Sequence, residues 1–60
     1  MTAIGKTLNL NGKWGASVTL EHNDDREYYE TRYDHPSEEA ARLCAEYSAW
    51  VLWMRVVEWE

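Results

Sequence analysis

Three side chains in this sequence could carry nucleophilic or metal chemistry: His22, His35 and Cys44. A nucleophile needs a base beside it that a third group holds in place, and a structural zinc site needs four Cys or His ligands at close spacing. The sequence contains neither a C-x-x-C nor an H-x-x-x-H pair. We therefore expect no metal site, no cofactor and no catalytic residue.

Simpler roles are expected for these three side chains. Each histidine stands close to aspartates, as in an acid–base pair, but at loop ends such residues more often cap and turn the chain. Cys44 falls on the predicted core side of a helix, where a thiol is usually inert. The sequence has no phosphate-binding loop or H-E-x-x-H motif, and so short a chain offers little wall for a substrate pocket. We expect a protein that is not an enzyme.

An acidic tract between residues 24 and 39 is the strongest chemical signal, and only Arg26 and Arg32 interrupt it with positive charge. Its acidic members are Asp24, Asp25, Glu27, Glu30, Asp34, Glu38 and Glu39. Carboxylates two residues apart on a strand stand about 6.6 to 7 Å apart. This is close to the phosphate spacing of a nucleic-acid strand, so they can occupy a protein's phosphate sites. The tract is either a solvated strand edge and helix start or a DNA-like surface, and the arginines count against a pure DNA mimic.

Tyrosines among these charges would supply anchoring contacts to a partner protein. The predicted partner-binding set combines both residue types: Asp24, Asp25, Glu27, Tyr28, Tyr29, Glu30 and Asp34.

Composition favours a protein partner over nucleic acid. A net charge of −5 and a pI near 4.8 disfavour direct binding to DNA or RNA. A chain of 60 residues makes one domain, residues 1–60, that buries little surface. One cysteine allows no internal disulfide, so association is the remaining way to gain stability. Four tryptophans and four tyrosines suit an interface, and we expect a homodimer or a complex with a basic protein.

The sequence shows no targeting signal or membrane span. The segment MTAIGKTLNL lacks the charged region and apolar core of a signal peptide. Arg55 and Glu58 interrupt the C-terminal apolar run before it reaches the roughly 18 residues that a membrane span needs. A lone cysteine fits a reducing compartment, so we expect a cytoplasmic protein.

Alternating apolar residues predict a β-hairpin over residues 3–21, with its turn at Asn11-Gly12, the dipeptide that best adopts a two-residue type I′ turn. The alternating residues are Ile4, Leu8 and Leu10 before the turn and Trp14, Ala16, Val18 and Leu20 after it. Residues 26–33 predict a third strand, and charges on both of its faces are typical of a sheet edge.

A helix is predicted to begin within DHPSEEAARL, residues 34–43. Pro36 suits a first helical turn, Ser37 or the polar residue before Pro36 can cap it, and two glutamates follow where the helix dipole favours negative charge. Apolar residues then recur at steps of three and four, which indicates one stripe facing the sheet. The stripe consists of Ala40, Leu43, Cys44, Tyr47, Trp50 or Val51, and Met54.

The C-terminal segment has two interpretations. No Gly or Pro interrupts residues 37–60, so we favour a single helix that runs close to the C-terminus, since nothing marks a turn. Alternatively, the helix stops near Ser48 and WVLWMRVVEW forms a fourth strand. A helix to the end would be apolar on a second face that should meet a partner. This predicted oligomer interface consists of Leu52, Trp53, Val56 and Trp59.

These elements predict an α+β fold in the order β-β-β-α, in which one long C-terminal helix covers one face of a three-stranded antiparallel sheet. The predicted core consists of Ile4, Leu8, Trp14, Val18, Leu20, Leu43, Tyr47, Val51 and Met54.

Small size, acidity, the α+β pattern and the tract NDDREYYETRYDHPSEE, residues 23–39, resemble small phage-encoded inhibitor proteins, anti-CRISPR proteins among them. The resemblance implies a protein of the host cytosol that binds a nuclease or surveillance complex stoichiometrically. It would block nucleic-acid access without catalysis. The alternative is a homo-oligomeric structural or adaptor module that associates through the C-terminal Trp-rich face.

Overall fold

The fold is a four-stranded sheet with one helix packed on one side. The computed structural model describes residues 2–22, without the side chain of His22, and residues 25–60. Its elements are β1 (Thr2–Leu10), β2 (Lys13–His22), β3 (Asp25–Glu30), α1 (Glu38–Trp53) and β4 (Val57–Trp59). The strands lie in the order β3-β2-β1-β4, with β4 parallel to β1 and the other pairs antiparallel. The predicted α+β fold is confirmed, and the short β4 adds to it.

The turn between β1 and β2 has the predicted geometry. Asn11 and Gly12 have φ angles of 54° and 85°, and a type I′ turn requires positive φ at both positions. The Gly12 N–H donates to the Asn9 side chain at 2.9 Å. Leu10 pairs directly with Lys13, so the connection is the two-residue loop that the sequence predicts.

The register of this hairpin decides which residues of β1 face α1. Ala3 pairs with Leu20 and Gly5 with Val18, and all four residues are buried. Because side chains alternate along a strand, the even-numbered residues of β1 point to the opposite side of the sheet, which we call the open face.

The predicted core is therefore wrong in β1. Leu8 is 51% exposed and Ile4 is half-buried, both on the open face. A two-residue turn pairs an even-numbered residue with an odd-numbered one, so the even-numbered residues of both strands cannot share a face. In β2, Val18 and Leu20 are buried as predicted, and Trp14 is half-buried against the core.

β3 ends at Glu30 rather than at residue 33. Beyond it, the Thr31 N–H donates to the Ala16 carbonyl at 2.8 Å. The return bond differs from a strand ladder, because the Ala16 N–H donates to the Thr31 hydroxyl at 2.9 Å. A side-chain oxygen thus takes the place of a backbone acceptor, and regular pairing stops there.

α1 is capped by Ser37 at its N-terminal end and by Met54 at its C-terminal end. The Ser37 hydroxyl accepts a hydrogen bond from the Ala40 N–H at 3.1 Å, and two glutamates occupy the first turn. Met54 adopts the left-handed conformation, with φ 55°. Its N–H donates to the Trp50 carbonyl at 2.8 Å, which closes the last turn as a C-cap.

Both interpretations of the C-terminal segment are corrected. α1 neither reaches the C-terminus nor stops near Ser48, since its last residue is Trp53. Of the proposed strand WVLWMRVVEW, Val57–Trp59 form a strand, which pairs in parallel with β1. The Glu60 N–H also donates to the Gly5 carbonyl at 3.0 Å. This pairing satisfies backbone groups at the β1 edge that a longer helix would leave without a strand partner.

α1 rests on the sheet through alanines, not through the predicted stripe. Ala41, Ala45 and Ala49 are fully buried and form the core with apolar residues of the sheet, Val18 and Leu20 among them. Four large apolar side chains of α1, together with Met54 at its C-cap, lie on its other side, where their exposed fractions range from 54% to 73%. We call this surface the outer stripe, and it consists of Leu43, Tyr47, Trp50, Val51 and Met54. The predicted core positions at residues 43, 47, 51 and 54 are thus wrong.

Candidate partner-binding surfaces

β3 forms one edge of the sheet and carries most of the predicted partner-binding set. Glu27 pairs with Leu20 and Tyr29 with Val18. Because both partners in β2 are buried under α1, Glu27 and Tyr29 lie on the helix side of the sheet, together with Asp25. Asp25 and Glu27 are exposed, so two carboxylates follow each other on one side of the edge strand at alternate positions.

The rest of the set lies elsewhere. Tyr28, 61% exposed, and Glu30 point to the open face. Asp34 is exposed in the segment before α1, and Asp24 lies outside the described residues. The tract therefore wraps around the sheet edge and does not form one flat acidic face.

Arg26 lies within the tract but bonds outside it. Its guanidinium is 2.8 Å from the Glu21 carboxylate on β2, and both side chains are exposed. An exposed pair of this kind contributes little stability, about 0 to 1 kcal/mol. The pair nevertheless offsets one positive charge of the tract with a carboxylate from the neighbouring strand.

Tyr33 orients the Glu30 carboxylate. Its hydroxyl donates to Glu30 Oε2 at 2.6 Å, and its ring covers Gly15 on the open face so closely that a Cβ there would overlap it. The hydrogen bond to Glu30, reinforced by burial and by the negative charge of Glu30, raises the pKa of Tyr33 to about 12. The neutral phenol is therefore a fixed donor that holds this carboxylate in place.

His35 contacts both the neighbouring Asp34 side chain and the backbone. Its Nδ1 lies 3.6 Å from Asp34 Oδ1. His35 Nδ1 lies 3.3 Å from the Trp14 carbonyl and 3.1 Å from the Arg32 carbonyl. Both partners are acceptors, so Nδ1 carries the proton. The His35 backbone also exchanges two hydrogen bonds with Trp14, at 2.9 and 3.1 Å. These contacts hold the chain between β3 and α1 against the start of β2.

The predicted C-terminal interface set is spread over the end of α1, the segment after it and β4. Leu52 and Val56 are exposed, whereas Trp53 is half-buried against the core. Trp59 lies on β4, where its Nε1–H donates to Glu46 Oε2 at 2.8 Å. Since α1 ends before residues 56 and 59, the helix geometry that grouped these four residues is absent.

The outer stripe is the surface that sequence reasoning missed, because it was assigned to the core. A signal for it is present in the sequence. Ala41, Ala45 and Ala49 recur at four-residue steps, which makes a second, narrower apolar stripe on the other side of the same helix. A helix with two apolar stripes can turn only one of them to a single sheet.

The open face carries a shallow depression of about 280 Å³. Its lining residues are Ile4, Lys6, Ser17, Thr19, Glu21, Arg26 and Glu60. Its charged side chains pair with one another, Lys6 with Glu60 at 3.7 Å and Arg26 with Glu21 at 2.8 Å. Among residues 2–22 and 25–60, no group of three His, Cys, Asp or Glu side chains is placed to hold a metal ion.

Within the described part of the chain, no helix has the length and apolar character to cross a membrane. Comparison with protein-family models gives no match, and neither a curated protein nor a solved structure is significantly similar to this chain.

Proposed function

We propose that this protein is a non-catalytic inhibitor that binds a nucleic-acid-binding protein and blocks its nucleic-acid site, in the manner of anti-CRISPR proteins. The observation that carries the proposal is the exposure of Asp25 and Glu27 at alternate positions of a sheet-edge strand. Carboxylates so placed repeat at about 6.6 to 7 Å, near the phosphate spacing of a nucleic-acid strand.

Two further features support the β3 edge as the contact region. Tyr28 presents a large exposed aromatic ring beside the carboxylates, and tyrosine is enriched among residues that dominate binding energy. The Tyr33 hydrogen bond holds the Glu30 carboxylate in one orientation, so less side-chain freedom is lost when a partner binds there.

The mechanism is competition for a basic groove. A net charge of −5 attracts a positively charged partner surface at long range, and carboxylates in phosphate sites then exclude nucleic acid. No bond is made or broken. The natural setting is the cytoplasm of a cell whose nuclease or surveillance complex is the target.

The experiment is capture on the immobilised chain, followed by elution with a short duplex DNA. A partner bound through its nucleic-acid site is released by DNA and by salt, because both compete for the same charges. Glu27→Lys should abolish most capture. Glu58→Lys is the matched control, since it makes the same charge change at an exposed position of β4, on the opposite sheet edge.

Bound proteins that resist both DNA and salt would contradict the proposal, as would equal loss of capture by the two variants. The second candidate function is a homo-oligomeric module. The exposure of Leu52 and Val56 favours it, although the other two residues of its predicted interface are half-buried.

A further inference from the structure

The outer stripe is a large exposed apolar surface on α1. Its five members follow one another at steps of four, three, one and three residues, so they form a continuous band along the helix. Their exposed fractions correspond to an accessible surface on the order of 600 Å², at or above the largest apolar patch of an ordinary monomer, about 300 to 600 Å². A patch of this size marks an interaction surface.

The core explains why this surface matters for stability. Five of its eight apolar members are alanines, and the largest fully buried side chain is Val18. Burial stabilises a fold roughly in proportion to apolar area, so a core of small side chains contributes little. The one cysteine is free. Tryptophans pack against this core only part-buried, and five large apolar side chains stand on the outer side of α1.

We propose that the outer stripe is the interface of a homodimer in which two α1 helices pack antiparallel across a two-fold axis near Tyr47. A two-fold interface uses the same patch on both subunits. Tyr47 lies four residues after Leu43 and four before Val51, so an antiparallel helix places Leu43 against Val51 of the partner subunit and Tyr47 against the partner's Tyr47. Each contact then joins two apolar side chains.

Charge complementarity favours a second copy of this chain, with its helix antiparallel, as the partner that covers the outer stripe. Glu39 is exposed one turn before the stripe, and Arg55 directly follows its last residue, with its guanidinium 3.1 Å from the Met54 carbonyl at the end of the helix. Glu39 lies in the first turn of α1, and Arg55 lies just beyond its C-terminal end, after the left-handed Met54, so the two charges mark opposite ends of the helix. Antiparallel pairing therefore sets Glu39 of each subunit beside the end of the partner's helix that carries Arg55, twice per dimer, whereas parallel pairing would set like charges together.

The area of the outer stripe also fits a homodimer interface. Each partner contributes about 800 Å² to a standard interface, and the stripe supplies most of this before its polar rim is counted. The stripe itself carries no charge, so the apolar centre forms without desolvating an ion. It lies on the side of α1 away from the sheet, so pairing leaves β3 uncovered and the dimer displays two acidic edges.

The test begins with sedimentation equilibrium of the full chain over a range of concentrations. The expected mass is twice the 7.1 kDa of one chain. Tyr47→Glu places two carboxylates together at the axis and should raise the dimer Kd at least about 100-fold, as expected for a centrally placed anchor. The matched control is Leu8→Glu, a comparably exposed apolar residue on the open face, which should leave the Kd within about threefold.

A charge exchange tests the antiparallel arrangement and does not depend on how Tyr47→Glu folds. Glu39→Arg and Arg55→Glu should each raise the Kd about tenfold, because each creates two like-charge contacts per dimer. The double variant restores opposite charges and should return the Kd to within about threefold of the original.

Three results would overturn the proposal. The first is a monomer at all concentrations, which would leave the stripe to a foreign protein. The second is a dimer that Leu8→Glu breaks and Tyr47→Glu does not, which would place the interface on the open face. The third is a double variant as weak as its single parents combined, which would exclude the antiparallel contact.

Discussion

On the inner face of α1, Ala41, Ala45 and Ala49 are fully buried against the sheet, whereas every side chain of the outer stripe is large and more than half exposed. The inner face thus gains a close fit with little area, because alanine lets the helix approach the strands without interdigitating long side chains. The comparison teaches that apolar size does not identify the core of this fold. The alanines of the inner face are buried because their small side chains let α1 approach the sheet closely.

The largest predicted effect comes from filling the inner face. Ala45→Leu adds three carbon atoms where Ala45 has no exposed surface, and overpacking of this kind costs about 2 to 3 kcal/mol of unfolding free energy. Urea unfolding of dilute protein measures it.

The control is Leu43→Ala, two residues earlier on the outer stripe, which should cost less than about 0.5 kcal/mol in the same dilute sample. If the two variants lose equal stability, the assignment of the two faces is wrong.

A smaller effect is predicted for Gly5→Ala, on the helix side of β1. The added Cβ would lie 2.6 Å from Val57 Cγ1 and 2.7 Å from the Trp59 ring, so β4 must shift, at a cost of about 1 to 2 kcal/mol. Hydrogen exchange of the Glu60 amide, which bonds to the Gly5 carbonyl, should become faster.

Lys6→Ala is the matched substitution on the open face. Lys6 forms an exposed ion pair with the Glu60 carboxylate, at 3.7 Å. A pair of this kind contributes little, so exchange at the Glu60 amide should change little. Unchanged protection of β4 in Gly5→Ala would show that the close packing of β4 on β1 does not govern its stability.

The smallest effect is expected on the open face, where contacts are more exposed. Since the pKa of Tyr33 is raised from 10.0 to about 12 by its bond to Glu30, the folded state favours the neutral phenol. Its contribution is fully present below pH 10 and is lost as the pH rises through about 12. Absorbance titration of the wild type against Tyr33→Phe isolates this tyrosine.

Glu30→Gln should move the titration of Tyr33 back towards its ordinary value, because it removes the charge that disfavours the phenolate. If the absorbance difference between the wild type and Tyr33→Phe titrates near pH 10, the Tyr33–Glu30 hydrogen bond does not persist in solution.

Local signals predicted the hairpin and the helix start well. Asn11-Gly12 adopts the turn that its positive φ preference indicates, and Ser37 caps α1. The same turn also determines the register, so the placement of Ile4 and Leu8 away from Val18 was already implied by the sequence. The predicted core overlooked this because both strands were assigned by alternation alone.

The end of α1 could not be predicted in the same way. Met54 takes a left-handed conformation that methionine rarely adopts, and no glycine or proline marks the position. Residues 57–59 leave the helix because the β1 edge offers backbone partners to them. That gain is invisible in a local window of sequence.

The candidate contact residues also combine features that local sequence predicts with features that only tertiary pairing determines. The exposure of Asp25, Glu27 and Tyr28 follows from the charges of an edge strand, which sequence patterns describe. Their division between two sides of the sheet follows from pairing with β2. Grouping Leu52 with Trp59 assumed a helix to the end of the chain, whereas α1 ends at Trp53.

By itself, the sequence determined the turn, the strand alternation, the helix cap and the acidity of the β3 edge, because each depends on neighbouring residues and on backbone preference. Tertiary structure alone decided which of the two apolar stripes of α1 is buried, and where the helix stops. Both stripes have helical period, so periodicity cannot rank them. Packing distance ranks them: α1 packs closely on the sheet through its small alanine side chains, and the stripe of larger side chains stays exposed to another surface.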